Sequence, residues 1–400
     1  MSSLAPSGAG SAACLSSRTP ARPAAATDTT RWEGLDLLRF LAMLLMVQKH
    51  AFRVVLAPAV REAPWFTWHD FVHGFTAPAF LLGAGLAWGV ATFPRFDAHA
   101  RPGHASRRRF ARYALLFAIG CALNLPDMSF GRALASPARF LAALQIGPLH
   151  LLGLVLAAME AAALATRSRR KVACVAAIGA AGVLLGAPLV GRFDAQSGVP
   201  EALRALLNGT TGSSFPLFPW GGLALLGIVA AHLALDARGR LRRAAVPAFA
   251  LVGAALFFGC YALYRAGFAP YGPHDFWRTN PLYTGFLAGG VALLLALASL
   301  AAPLLPNAVR RWVGAVARES LVVYVAHLVV LYGSPLSRGL RHAPGATLAL
   351  PGACAVTGVL LAAMLLLATL WPGLLRRGLW SRSLVRLPIT GLLVYVLLLR

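Results

Sequence analysis

The sequence predicts an all-α fold, a polytopic transmembrane helix bundle of about ten spans with both termini in the cytoplasm. The first observation is composition: 58% of the 400 residues are hydrophobic and 12% are charged, against about 25% charged residues in ordinary soluble domains. The second is that the apolar residues form runs long enough to cross a bilayer. The third is that arginines gather in alternate loops between these runs.

The two ends of the chain differ from the middle. Residues 1–30 are rich in Ser, Ala, Pro and Thr and contain no apolar run, so we expect a disordered cytoplasmic extension and not a signal peptide. The membrane domain is predicted to occupy 31–372. A basic and apolar tail follows at 373–400, and its stretch 387–399 is short for a span, so we expect it at the interface or against the bundle.

Ten apolar segments occupy the membrane domain. They lie at approximately 35–56, 71–92, 110–125, 140–165, 172–191, 216–235, 244–264, 281–302, 319–334 and 346–371. Most reach the roughly 20 residues that a bilayer helix needs, whereas 110–125 and 319–334 are marginal. We find no repeat at a fixed period and no soluble domain.

The loop charges set the predicted topology. Loops 93–112, 166–171, 236–243 and 303–318 and the tail carry clusters of arginine, while loops 57–70, 192–215 and 265–280 are nearly balanced. This alternation predicts cytoplasmic termini and an even number of spans. It also accounts for the net charge of +24, so we predict a lipid bilayer and not a nucleic acid as the partner. A multi-pass protein of the cell (inner or plasma) membrane is expected.

Arg39 and His50 are the most informative residues, because they lie eleven positions apart on the first segment. Eleven steps of about 100° make three turns plus about 20°, which puts both side chains on one helix face about 16 Å apart. Asp36 falls near the same stripe. Charged groups on a spanning helix indicate a functional site. The alternative is an interfacial Asp36–Arg39 ion pair, with His50 as a polar residue near the far headgroups.

A second polar group opens the second span. His69 and His73 are four residues apart and would share a helix face, with Asp70 beside them. A histidine is the usual general base near neutral pH, and an acid beside it would hold its tautomer, so we predict that His50 acts with an acidic partner in group transfer or proton coupling. Two histidines at this spacing could also bind zinc, but only Asp70 and perhaps His50 could complete the ligand set and no cysteine motif adds ligands, so we predict no metal.

Later segments hold further candidates. His150 is deep enough in the fourth span to face a pocket or to bond between helices. Trp220 follows prolines that begin or break a helix, where binding sites often form, although it also suits the interfacial aromatic belt. Tyr324 and His327 share a face of the ninth span with Ser320. Their structural and functional interpretations are balanced.

The first span also resembles a known family. RWEGLDLLRFLAMLLMVQKH is similar to the first span of the membrane acyltransferase superfamily, in which an arginine and a histidine flank ten residues. HGFTAPAFLLGAGLAWG and RESLVVYVAHLVVLYG continue the likeness, which covers most of 31–335. Together the segments most resemble the heparan-alpha-glucosaminide N-acetyltransferase branch, next to the acyltransferase family 3 proteins.

This resemblance implies an enzyme that moves an acyl group, most simply acetyl, from cytoplasmic acetyl-CoA or another acyl-CoA to a hydroxyl or amine of a glycan at the outer face. It implies that His50 is a general base, which we prefer to an acyl carrier, and that Arg39 holds the donor. Asp70 completes the predicted catalytic group. The predicted substrate-binding and donor-binding residues are Asp36, His69, His73, His150, Trp220, Tyr324, His327 and Arg108.

Alternatives stay open for several of these assignments. Arg108 belongs to an arginine run that suits either CoA phosphates or the positive-inside rule. Lys49 departs from the small residue that usually precedes the histidine in the family. A transporter without acyl transfer is the rival function, because interrupted helices suit alternating access. The sequence leaves the acceptor, the acyl chain and a homo-oligomeric state open.

Overall fold

The computed structural model describes residues 31–125, 130–334, 338–343 and 347–376. The predicted extension at 1–30 and the apolar stretch 387–399 lie outside these ranges. Within them the chain forms helices and no β-strand, apart from two isolated bridges. The predicted all-α class is therefore confirmed.

Eighteen α-helices lie in the part of the chain that the structure describes. The first nine are α1 (Glu33–Val55), α2 (Pro58–Arg61), α3 (Pro64–Gly74), α4 (Thr76–Thr92), α5 (Phe96–His99), α6 (His104–Asn124), α7 (Phe130–Leu134), α8 (Pro137–Ala143) and α9 (Pro148–Thr166). The others are α10 (Arg169–Val190), α11 (Glu201–Leu207), α12 (Leu217–Ala234), α13 (Ala245–Arg265), α14 (Phe276–Thr279), α15 (Pro281–Ala301), α16 (Asn307–Arg318), α17 (Ser320–Tyr332) and α18 (Leu350–Arg376).

Seven helical stretches among the described residues are long and apolar enough to cross a membrane, or eight if the bent pair α16 and α17 counts as one span. They are Pro64–His99, Pro148–Thr166, Arg169–Val190, Leu217–Ala234, Ala245–Arg265, Pro281–Leu304 and Leu350–Leu374. Both α1 and α6 are long enough to cross a membrane, but they carry too many charged residues to be counted as apolar spans. The count of ten and the cytoplasmic termini therefore stay predictions.

Several helices begin or end at residues that differ from the predicted segment boundaries. The segment predicted to start at 110 begins at His104, because arginines are good helix formers and extend α6 beyond its apolar part. The one predicted at 140–165 divides into α8 and α9, where Pro148 begins a new helix. Upstream of 71 the chain is already helical in α3. The ninth segment is α17, which bends by 64° from α16.

α1 lies at the centre of the bundle and packs on α4, α15, α16, α17 and α18. Acidic residues in its first turn and Arg53 in its last turn stabilise α1, because their charges are opposite to those of the helix dipole at each end. One side of α1, including Leu35 and Leu38, joins a large core built mainly from α4, α9, α10, α12 and α15. The other, including Met43 and Val47, joins a small core with α16, α17 and α18. The central helix therefore divides the bundle into two regions.

Small residues bring the helices of the large core close together. α4 and α12 touch where Gly85 and Gly227 stand, and a Cβ on either glycine would overlap a backbone carbonyl of the other helix, that of Ala224 or Leu82. Close backbone approach through small residues is a common way to pack helices in a membrane, where the apolar lipid removes the hydrophobic drive between helices. This contact fixes the scaffold against which α1 rests.

Candidate functional site

The site lies between α1 and α17. His50 Nδ1 and His327 Nε2 are 2.8 Å apart, and Arg39 Nη2 donates to Ser320 Oγ at 3.2 Å. The two residues on α1 are separated by about 16 Å of helix and the two on α17 by about 10 Å. The pairs occur in the same order on both helices, so α1 and α17 run parallel, and the long arginine side chain spans the difference. The predicted face of α1 is therefore the one that meets α17.

Hydrogen bonds determine the tautomers of the two histidines when both are neutral. The Val323 carbonyl, which can only accept, lies 2.7 Å from His327 Nδ1, so this nitrogen carries the proton. His327 Nε2 then accepts, and His50 Nδ1 must donate to it. The second nitrogen of His50, Nε2, keeps its lone pair. The arrangement thus presents one unprotonated imidazole nitrogen on α1.

Burial and neighbouring rings hold this pair in place. His327 is fully buried, at 0% exposure, while His50 is half-buried. The ring of Tyr324 lies 5.8 Å from that of His327, and Tyr332 places its ring edge-on 6.3 Å from His50. The two rings of the pair lie nearly parallel, with centroids 5.1 Å apart. Packing therefore restrains both imidazoles in one orientation.

The arginine end of the site sits at the break between α16 and α17. Ser320, which accepts from Arg39, is the first residue of α17. Asp36 pairs with Arg31 at 2.6 Å, and Glu33 pairs with Arg310 at 3.0 Å. Arg39 is therefore not committed to the direct ion pair with Asp36 that the alternative interpretation expected. Its remaining donors are free of any carboxylate contact shown among the described residues.

A second polar cluster forms on another side of α1. His69 Nε2 donates to Gln48 Oε1 at 3.2 Å, and its ring stacks on His73 with centroids 4.0 Å apart, as the predicted helical spacing requires. Asp70 Oδ1 lies 3.5 Å from His69 Nδ1. Gln48 is two residues before His50, which is about 200° around a helix. The acidic partner expected for His50 is thus replaced by an imidazole, His327, and Asp70 lies beside His69 instead.

His150 and Trp220 belong to the large core. His150 is 2% exposed, accepts from the Gly147 N–H at 3.1 Å and so satisfies a free donor at the start of α9. Phe117 meets its ring edge-on at 5.0 Å. Trp220 packs on Phe215 with ring centroids 5.1 Å apart. Their contacts are structural, and none that the structure shows joins them to the His50 and His327 pair.

A buried charge network that was not predicted from the sequence links α5, α6 and α9. Glu160, at 0% exposure on α9, accepts from Arg109 Nε at 2.8 Å and lies 2.7 Å from His99 Nε2. Arg109 also donates to the His99 carbonyl at 2.6 Å. A lone acid inside an apolar segment is the signal that could have revealed it. Arg109 is therefore already paired with Glu160 inside the protein. Its neighbour Arg108 is exposed.

Among the residues that the structure describes, no group of three His, Cys, Asp or Glu side chains is arranged to hold a metal ion. The family model described as "Heparan-alpha-glucosaminide N-acetyltransferase, catalytic" matches residues 31–266, more than half of the chain. A search of curated proteins found no match. The matched part contains Arg39 and His50 but ends directly after α13, so Ser320 and His327 lie beyond it.

Proposed function

The chain belongs to the heparan-alpha-glucosaminide N-acetyltransferase catalytic family, and from this premise we propose that it transfers an acetyl group from acetyl-CoA to a hydroxyl or amine of a glycan. It is a multi-pass membrane protein of an acetyltransferase family. The donor, the acceptor and the direction across the membrane are the proposal. One observation carries it: the hydrogen-bond chain that leaves the lone pair of His50 Nε2 available.

In the proposed reaction His50 is the general base. Its Nε2 takes the proton from the acceptor O–H or N–H as that oxygen or nitrogen attacks the thioester carbonyl carbon. The C–S bond then breaks, CoA leaves as a thiolate, and the imidazolium returns its proton to the sulfur or to water. A positioned general base contributes about 10²–10⁴-fold in rate.

His327 would orient and support this base. The bond from His50 Nδ1 keeps the imidazole in the tautomer that exposes Nε2, and it spreads the charge of the imidazolium that forms. Because the Val323 carbonyl fixes His327 in turn, the orientation is set by the backbone of α17. A histidine therefore does the orienting that an acid does in many hydrolytic triads.

Arg39 is proposed to hold the donor. Its guanidinium is anchored by Ser320 through one nitrogen, which leaves other N–H groups for the phosphates of acetyl-CoA. The loop charges support a cytoplasmic position for Arg39 and an outer position for His50. On that topology the donor enters at one end of the α1–α17 pair and the acceptor arrives at the other.

The test is transfer from radiolabelled acetyl-CoA by the purified protein in detergent, with glucosamine as the trial acceptor and release of free CoA as a second signal. We expect thioester cleavage by the unchanged protein and a loss of about 10²–10⁴-fold in His50→Ala. His104→Ala, at an exposed histidine that begins α6, is the matched control and should retain activity.

The purified protein, reconstituted into sealed vesicles, also tests the rival function of transport. Substrate flux without cleavage of the thioester would favour a transporter and contradict the proposal. Full activity in His50→Ala would show that His50 is not the general base. An acetylated His50 trapped by rapid quenching would replace general-base catalysis with an acyl-histidine intermediate.

A further inference from the structure

A cavity of about 350 Å³ lies apart from the α1–α17 site. It forms where α3, the end of α13, α14 and the start of α15 meet. Its size falls in the range of small-molecule pockets. Neither His50 nor His327 lines it.

The lining is aromatic, with a single charge. Phe71, Phe75 and Phe286 form part of the wall, together with tyrosines and Trp277. Asp70 is the one charged residue among the described residues that line the cavity, and its side chain is 54% exposed. The cavity therefore combines an apolar interior with one carboxylate at its edge.

One wall of the cavity faces the lipid. α13 is the least buried of the seven candidate spans, with 6% of its apolar window inside the protein. Two of its lining residues, Tyr261 and Tyr264, are 49% and 45% exposed. Apolar helix surface that is exposed in a membrane protein contacts acyl chains, so a ligand can enter this cavity from the bilayer.

The chemistry of the lining selects among ligands. A sugar ring placed among phenylalanines would leave most of its hydroxyls without partners, and each unsatisfied polar group costs free energy. A hydrocarbon chain has no such groups, and each buried methylene contributes about 0.8 kcal/mol. The carboxylate of Asp70 complements a positively charged group at the edge of the cavity.

We propose that this cavity binds the hydrocarbon chain of a membrane amphiphile whose amine-bearing head lies at Asp70. The site requires no acetyl transfer and would exist whether or not the proposed reaction is correct.

Photo-crosslinking tests the assignment on the purified full chain in detergent. The probes are hexadecylamine and palmitate, each with a diazirine in mid-chain, and labelled peptides are mapped by mass spectrometry. We expect the amine to label residues around Tyr283 and Phe286 about tenfold more than palmitate, because the carboxylate head is repelled by Asp70. Asp70→Asn should remove that preference while the chain still binds.

Gly74→Leu tests the cavity itself. Gly74 lines the cavity, and a Cβ added there meets no atom within 4 Å, so a leucine would fill free space without a backbone clash. Labelling should fall about tenfold, the effect of losing about two buried methylenes. Gly182→Leu on α10, where a Cβ also meets no atom within 4 Å, is the matched control and should label as the unchanged chain does.

Three outcomes would overturn the inference. Equal labelling by both probes in the unchanged chain would remove the head-group assignment. Undiminished labelling in Gly74→Leu, spread along the exposed surface of α13, would show contact with detergent-like chains and not a cavity site. Displacement of the probe by glucosamine at millimolar concentration would assign the cavity to a sugar.

Discussion

The large core and the small core, on the two sides of α1, differ in how they use their polar groups. The large core holds α4 and α12 together through Gly85 and Gly227 and buries the Glu160 network, in which Glu160 pairs with Arg109 and His99. The small core, with α16 to α18, directs polar groups toward α1 and leaves one nitrogen of His50 unpaired. The first region is a scaffold, and the second completes a site.

The family match follows only part of this division. It covers α1 and most of the large core but ends before α15. The contacts that give Arg39 and His50 their geometry come from Ser320 and His327, on the unmatched side. Residues inside the family match therefore take their orientation from helices that lie outside it.

The sharpest test of the scaffold is Glu160→Ala. Removing the carboxylate leaves Arg109 partly buried without its charge partner, and breaking a buried ion pair in this way costs about 3–5 kcal/mol. We expect the largest loss of stability here, measured by thermal unfolding in detergent followed by tryptophan fluorescence. Glu201→Ala, at an exposed acid in α11, is the control. Equal unfolding temperatures for the two variants would contradict the scaffold role.

His327→Ala tests the completing region. Without its acceptor, the imidazole of His50 can rotate or change tautomer, so kcat should fall about 10²-fold, equivalent to ~2.7 kcal/mol. His327→Gln, which offers an acceptor oxygen, should recover part of the rate. A normal kcat in His327→Ala would show that the contact is structural only.

Gly85→Ala probes the close contact within the scaffold. The added methyl group overlaps the Ala224 carbonyl, so α4 and α12 must move apart, at a cost of about 1–3 kcal/mol. Thermal unfolding measures this loss, and Gly182→Ala on α10 provides the comparison because a Cβ there meets open space. If both alanines had the same effect, helix propensity and not close packing would explain the glycine.

The smallest effect is expected for Ser320→Ala. It removes the hydroxyl that anchors Arg39 and should cost about 1 kcal/mol, or roughly fivefold in KM for acetyl-CoA, with kcat nearly unchanged. Ser320→Thr keeps the hydroxyl and should restore KM. A change in kcat alone would mean that Ser320 affects the chemical step and not donor binding.

Much of the fold could be predicted from the sequence. Fewer of the side-chain contacts between helices could be predicted. Composition predicted an all-α membrane protein, and helical spacing placed Arg39 and His50 on one face that the structure turns toward α17. The spacing of His69 and His73 likewise predicted their stacking. Asp70, predicted to act with His50, lies beside His69 instead, because its place at the start of the second span does not determine its direction around α1.

The helical class, the apolar segments and the side chains that share a helix face can all be predicted from the amino-acid sequence, because they follow from local periodicity and from solvation by lipid. The contacts of His50 with His327, 277 positions away, and of Glu160 with Arg109 depend on tertiary packing. Such partners depend on which helices pack together and how each is rotated about its axis. Those two variables come from the combined packing of the whole bundle, and no single segment contains them.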